Sequence, residues 1–64
     1  MGRSTPVDIE LDAIERETDK AMLVRQGDTQ AWVPMSMVDK ITRKPNGTAE
    51  IRIPDWLADE KGLE

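Results

Sequence analysis

The chain has 64 residues, enough for one domain, with 38% apolar side chains, two tryptophans as its only aromatic residues, and neither cysteine nor histidine. A chain of this length buries only about 60% of the surface its unfolded form exposes, so its core is small and self-association or partner binding has room to add stability. Without Cys it forms no disulfide, thiolate nucleophile, zinc finger or iron–sulfur cluster, without His it has no ordinary neutral-pH proton shuttle, and nine basic against 13 acidic residues leave a net charge of −4.

Met1 to Pro6 reads as a frayed leader without the apolar stretch of a signal peptide, which places a single domain over residues 7–64. Val7 to Ile14 alternates, with Val7, Ile9, Leu11 and Ala13 on one side and Asp8, Glu10 and Asp12 on the other, the pattern of a half-buried strand. Glu15 to Asp19 is polar and turn-like. Lys20 to Gln26 and Ala31 to Val33 then read as two strands joined by a two-residue loop at Gly27-Asp28, a type II′ or I′ hairpin. That register sets Met22, Leu23 and Val24 opposite Val33, Trp32 and Ala31. Apolar residues fall on both faces of this hairpin, which predicts a central position in the sheet with at least partial cover on each side. Pro34 ends the strand, and Ser36 is placed to cap a single helical turn over Met37-Val38-Asp39.

Pro45-Asn46-Gly47 has the chemistry of a three-residue hairpin loop, which sets Ile41 opposite Ile51 and Thr42 opposite Glu50. A two-residue loop at Asn46-Gly47 would put Ile41 opposite Arg52 and scatter the apolar face. Beyond Ile53, the segment Pro54 to Lys61 predicts a short helix with Gly62 at its left-handed cap and Leu63 folding back. Trp56 and Leu57 would point at the sheet. The elements sum to a mainly β fold, a four- to five-stranded antiparallel meander curled into a small barrel with a short C-terminal helix and both tryptophans in its core.

Charge is unevenly spread. Arg3 and Arg16 stand against Asp8, Glu10, Asp12, Glu15, Glu17 and Asp19 at the start of the chain, whereas Lys40, Arg43, Lys44 and Arg52 outnumber Asp39 and Glu50 later on. The six acids form one candidate binding surface, suited to a basic protein partner. Alternating carboxylates on one strand also suit the protection of a sheet edge, and they do not converge on a metal ion unaided. Lys40, Arg43, Lys44 and Arg52 with Trp32 form a second candidate, in which cations meet phosphates and the indole stacks on a base. Met35 and Met37 flank Ser36 and offer an adaptable contact surface. A Ser36–Lys40 pair at helical spacing is the only nucleophile and base combination of note, and no catalytic residue, metal or cofactor is expected.

Lys20-Ala21-Met22-Leu23-Val24 leading to Ala31-Trp32-Val33-Pro34-Met35-Ser36, together with Ile53-Pro54-Asp55-Trp56-Leu57-Ala58-Asp59-Glu60-Lys61-Gly62-Leu63, resemble small, largely uncharacterised domains from phages and mobile elements with a Trp-Val-Pro-x-Ser centre and a Trp-Leu-x-x-Glu-Lys-Gly-Leu tail. The likeness covers about half the chain and departs at Met35, where that pattern has Lys. It implies a small accessory protein acting near nucleic-acid metabolism or against a host defence. The leading expectation is therefore a non-enzymatic protein-binding module, an inhibitor or adaptor that docks its acidic strand face on a basic partner. The alternative is a single-strand nucleic-acid-binding barrel using the basic hairpin, and a third reading is a homodimer through exposed strand edges and Met35 and Met37. No apolar run reaches the roughly 20 residues of a membrane span, so a cytoplasmic protein without a membrane partner is expected.

Overall fold

The computed structural model describes residues 5–64 and contains six strands and one helix: β1 (Pro6–Leu11), β2 (Ala13–Glu17), β3 (Ala21–Gln26), β4 (Thr29–Pro34), β5 (Lys40–Arg43), β6 (Ala49–Pro54) and α1 (Asp55–Lys61), with a 3-10 turn over Met35–Met37. The strands pair into two three-stranded antiparallel sheets, ordered β1-β6-β5 and β2-β3-β4. The fold is mainly β, as expected. The single curled barrel is not, because the described ladders divide between two sheets.

The division begins at Asp12. The Val7 to Ile14 run is straight only as far as Leu11, and the chain then bends at Asp12 and enters β2. Asp12 donates its N–H to the Arg25 carbonyl (2.8 Å) and accepts the Gly27 N–H on its carboxylate (2.6 Å), which fastens the corner to the β3–β4 hairpin. The bend reverses the phase of the alternation. Ile14, rather than Ala13, packs against the core, where the larger side chain removes more apolar surface from water. Glu15 to Glu17, expected as a turn, continues as strand, with a register shift between Ile14 and Arg16 that leaves Glu15 as the extra residue of a bulge. The turn follows at Thr18, whose hydroxyl accepts the Ala21 N–H at 3.0 Å.

Both hairpins keep the registers their turn residues dictate. Met22, Leu23 and Val24 face Val33, Trp32 and Ala31 across β3 and β4. Gly27 sits at φ 58° and no described non-glycine residue has positive φ, so of the two expected turn types II′ holds. Ile41 faces Ile51 and Thr42 faces Glu50 across β5 and β6, and Lys44 and Thr48 bracket the three-residue loop with a 3.0 Å bond.

The inner faces meet in a core of Ile9, Leu11, Met22, Val24, Val33, Ile51 and Ile53, and α1 closes over it with Leu57 and Ala58 while packing against β1, β6 and β4. Gly62 ends α1 at φ 72°, and the Leu63 N–H reaches back to the Ala58 carbonyl at 2.8 Å, burying Leu63 as expected. The tryptophans depart from expectation. Trp56 is 47% exposed and Trp32 45% exposed, because Leu57 takes the inward position on α1 and Trp32 lies on the face of β4 opposite Val33. The helical turn also shifts. It covers Met35–Met37 and follows Pro34, so Ser36 lies inside it and makes no cap, and the Pro34 N-cap has no side-chain cap bond.

Two residues expected in the leader are anchored. Pro6 pairs with Pro54, and Thr5 accepts the Asp55 N–H at 2.9 Å. The rest of the expected leader lies outside the described residues.

Candidate functional site

Residues directly opposite one another in an antiparallel ladder share a face, so the register places the candidate residues. On the outer face of β1-β6-β5, one row reads Asp8, Arg52, Lys40 and the next Glu10, Glu50, Thr42. The acidic strand and the basic hairpin are therefore neighbours in one sheet. Arg52 Nε donates to Asp8 Oδ1 at 2.8 Å, and Lys44 Nζ donates to Glu10 Oε2 at 2.9 Å. Arg43, at the loop end of β5, reaches across to Glu17 of β2 and ties the two sheets together. Arg25 Nε bonds Glu15 Oε2 at 2.7 Å within the other sheet.

Four of the six acidic candidates are thus matched to cations, three of them to members of the basic candidate set. Asp12 is engaged by the Gly27 N–H, and Asp19 lies in the turn after β2. Exposed pairs of this kind contribute little to stability, but they occupy the charges that a partner would have to meet. The Arg52 guanidinium, hydrogen-bonded to Asp8, holds that carboxyl below its ordinary value, with help from the charges of Arg52 and Lys40. The bond to Glu10, and then its charge, raise the Lys44 ammonium, while the Asp8 bond raises Arg52. Each shift favours the charged, paired state. No three acidic side chains among the described residues converge on a point that would hold a metal ion.

Trp32 is separated from the basic hairpin. It belongs to β4 in the second sheet, whose outer face carries the row Arg16, Leu23, Trp32 flanked by the rows Ala13, Arg25, Gln30 and Ala21, Pro34. Leu23 and Ala21 are half-buried there and nothing among the described residues packs over Trp32 to hide it. Sequence reasoning reached half of this feature. It put apolar residues on both faces of the hairpin and expected each to be at least partly covered, which Ala21 and Leu23 are and Trp32 is not, and it did not single out Arg16 or Leu23. The signal was the unbroken run Ala21-Met22-Leu23-Val24, which no one-sided strand requires.

Ser36 sits in the 3-10 turn and Lys40 begins β5, so the helical spacing that would have brought them together does not form. Met35 packs against the core, while Met37 is 39% exposed and joins Pro6, Ser36, Asp39, Ile53 and Pro54 around an open cleft of about 290 Å³. That volume is at the lower limit for a small-molecule site, and among the described residues Asp39 is the only ionisable side chain lining it. Among the described residues, no helix is long and apolar enough to cross a membrane. Compared with known proteins, the chain matches no family model, no curated protein and no solved structure.

Proposed function

We propose that this chain is a non-enzymatic protein-binding module whose contact surface is the outer face of β2-β3-β4, anchored by Trp32 and Leu23. The observation that carries the reading is Trp32, 45% exposed in one row with Leu23 and Arg16. Tryptophan and arginine are the side chains that dominate binding energy at protein interfaces, and an apolar neighbour lets the indole be desolvated as a block. The acidic stripe is a weaker anchor, since most of its carboxylates already hold cations. Its charge still counts at long range. A net charge of −4 steers the module toward a basic partner and makes association fall with added salt.

The resemblance of the Trp32 and Trp56 segments to phage-type domains supports an inhibitor or adaptor of a phage or mobile element, acting in the cytoplasm against a host defence. The test is capture from the host cells with three baits: the wild-type chain, Trp32→Ala and Arg16→Glu. A specific protein held by the wild type should be released at least tenfold by Trp32→Ala. Retention of every captured protein by that variant would overturn the reading.

A second reading rests on a different feature of the same face. Arg16 lies in the row of Trp32, beyond Leu23, and Arg25, bonded to Glu15, lies in the next row, an arrangement that suits stacking of a single-stranded base with cations at the backbone. It predicts quenching of Trp fluorescence by an oligonucleotide at low ionic strength, diminished by Arg16→Glu and insensitive to Lys40→Ala. Unquenched fluorescence at low salt would rule it out.

A further inference from the structure

The loop between β5 and β6 places a reactive pair of residues at its tip. Asn46 and Gly47 are both exposed. The Asn46 side chain is held in one orientation, with its Oδ1 accepting the Thr48 hydroxyl at 2.7 Å and the Thr48 N–H at 3.1 Å. A backbone N–H only donates, so the atom facing it is the amide oxygen, and Nδ2 is left without a protein partner among the described residues. Gly47 has φ 92°, and a Cβ added there would meet no atom within 4 Å, so the space beside it is open. Its N–H donates to the Lys44 carbonyl at 3.1 Å, towards the long end of the usual range.

We propose that Asn46 is a self-modification site, converted to aspartate or isoaspartate by attack of the Gly47 backbone nitrogen on its side chain, with Thr48 stabilising the charge that develops. The Gly47 N–H leaves the Lys44 carbonyl and gives its proton to solvent, and the nitrogen attacks Asn46 Cγ to close a five-membered ring. Both reacting groups belong to one short stretch of chain, so the step needs no second molecule. Negative charge collects on Oδ1, where the Thr48 hydroxyl and N–H already donate, the arrangement of an oxyanion hole. The Cγ–Nδ2 bond then breaks, Nδ2 takes up a proton, and ammonia departs from a cyclic imide. Water opens that ring. Addition at Cγ gives aspartate, and addition at the main-chain carbonyl carbon of residue 46 gives isoaspartate.

Either product moves the net charge of the chain from −4 to −5. The new carboxylate lies in a hollow shared with Glu10, Asp12 and Lys44, where it competes with Glu10 for the Lys44 ammonium. The loop belongs to the sheet that does not contain Trp32, so the inference is independent of the partner reading.

The test is incubation of the folded full chain at neutral pH, followed by peptide mass mapping and ion exchange, with Asn46→Asp as the marker of the acidic product. The wild type should accumulate both isomers at position 46. Thr48→Val removes the hydroxyl and keeps the branched shape. It should slow the conversion roughly three- to tenfold, less than the loss in an enclosed oxyanion hole because the loop is open to water. Thr48→Ser, which restores the hydroxyl, should return the rate to within about twofold of the wild type. Far-UV circular dichroism confirms that both variants keep the fold. In urea strong enough to unfold the chains, wild type and Thr48→Val should react alike, since the Thr48 bonds are gone. A folded wild type that keeps its amide, a folded Thr48→Val chain that reacts as fast, or a difference between the two that persists in urea would overturn the inference.

Discussion

At Asp8, one exposed carboxylate shows how this surface is arranged. Its bond to Arg52 joins residues 44 apart in sequence and holds the carboxyl below its ordinary value. A depressed value in the folded state means stability that is present above the unfolded value of about 3.9 and lost as pH falls through the folded one. Urea unfolding of the wild type between about pH 6 and about pH 2 should therefore show a loss at the acid end that is smaller in Asp8→Asn, and identical pH slopes for the two proteins would contradict the pairing. Lys44 works in the other direction, its raised value adding stability that persists below the usual lysine range and disappears as the ammonium loses its proton. Neither effect could be read from residue spacing. Acids at alternate positions of one strand and bases on a distant hairpin looked like two separate binding surfaces, and only the β1–β6 ladder shows that they neutralise each other.

At the scale of elements, what could be read in the sequence follows turn chemistry. Gly27-Asp28 and Pro45-Asn46-Gly47 each admit few backbone geometries, and each fixed the register of its hairpin correctly. Gly62 does the same for α1. An alanine there would meet only the Thr29 methyl at an ordinary 3.9 Å, so the cost of Gly62→Ala is backbone strain at φ 72° and should be about 1 kcal/mol by urea denaturation. β2 could not be read because nothing local marks its boundaries. Asp12 bends the chain through bonds to Arg25 and Gly27, residues of the second hairpin, and the bulge at Glu15 then breaks the two-residue period. Gln26 is a further tertiary clamp of this kind. Its side-chain amide donates to the carbonyls of Glu10 and Glu64, each at 2.7 Å, and accepts the Glu64 N–H at 2.8 Å. Gln26→Ala should speed amide hydrogen exchange at Leu63 and Glu64, and unchanged protection there would show the clamp to be dispensable.

At the scale of the whole molecule, the core is a thin layer between two small sheets, so single truncations weigh heavily. Met22 and Ile51 are fully buried on the two facing sheets, and Met22→Ala should cost about 2 to 5 kcal/mol. Stability in proteins of this size is about 0.05–0.15 kcal/mol per residue, so that loss should leave the variant partly unfolded at 37 °C by circular dichroism. The same thinness explains the tryptophans. Ile, Val, Leu and Met fill the space between the sheets, and a side chain as large as Trp32 is left on the outside.

The sequence by itself determined the chemistry that is absent, the two hairpin registers and the glycine-ended helix, because composition and turn geometry depend on residues close together in the chain. The tertiary structure decided the division into two sheets, the pairing of acidic with basic side chains and the exposure of Trp32. Those depend on which strands become neighbours, and that is set by the way the apolar faces of the whole chain share one core.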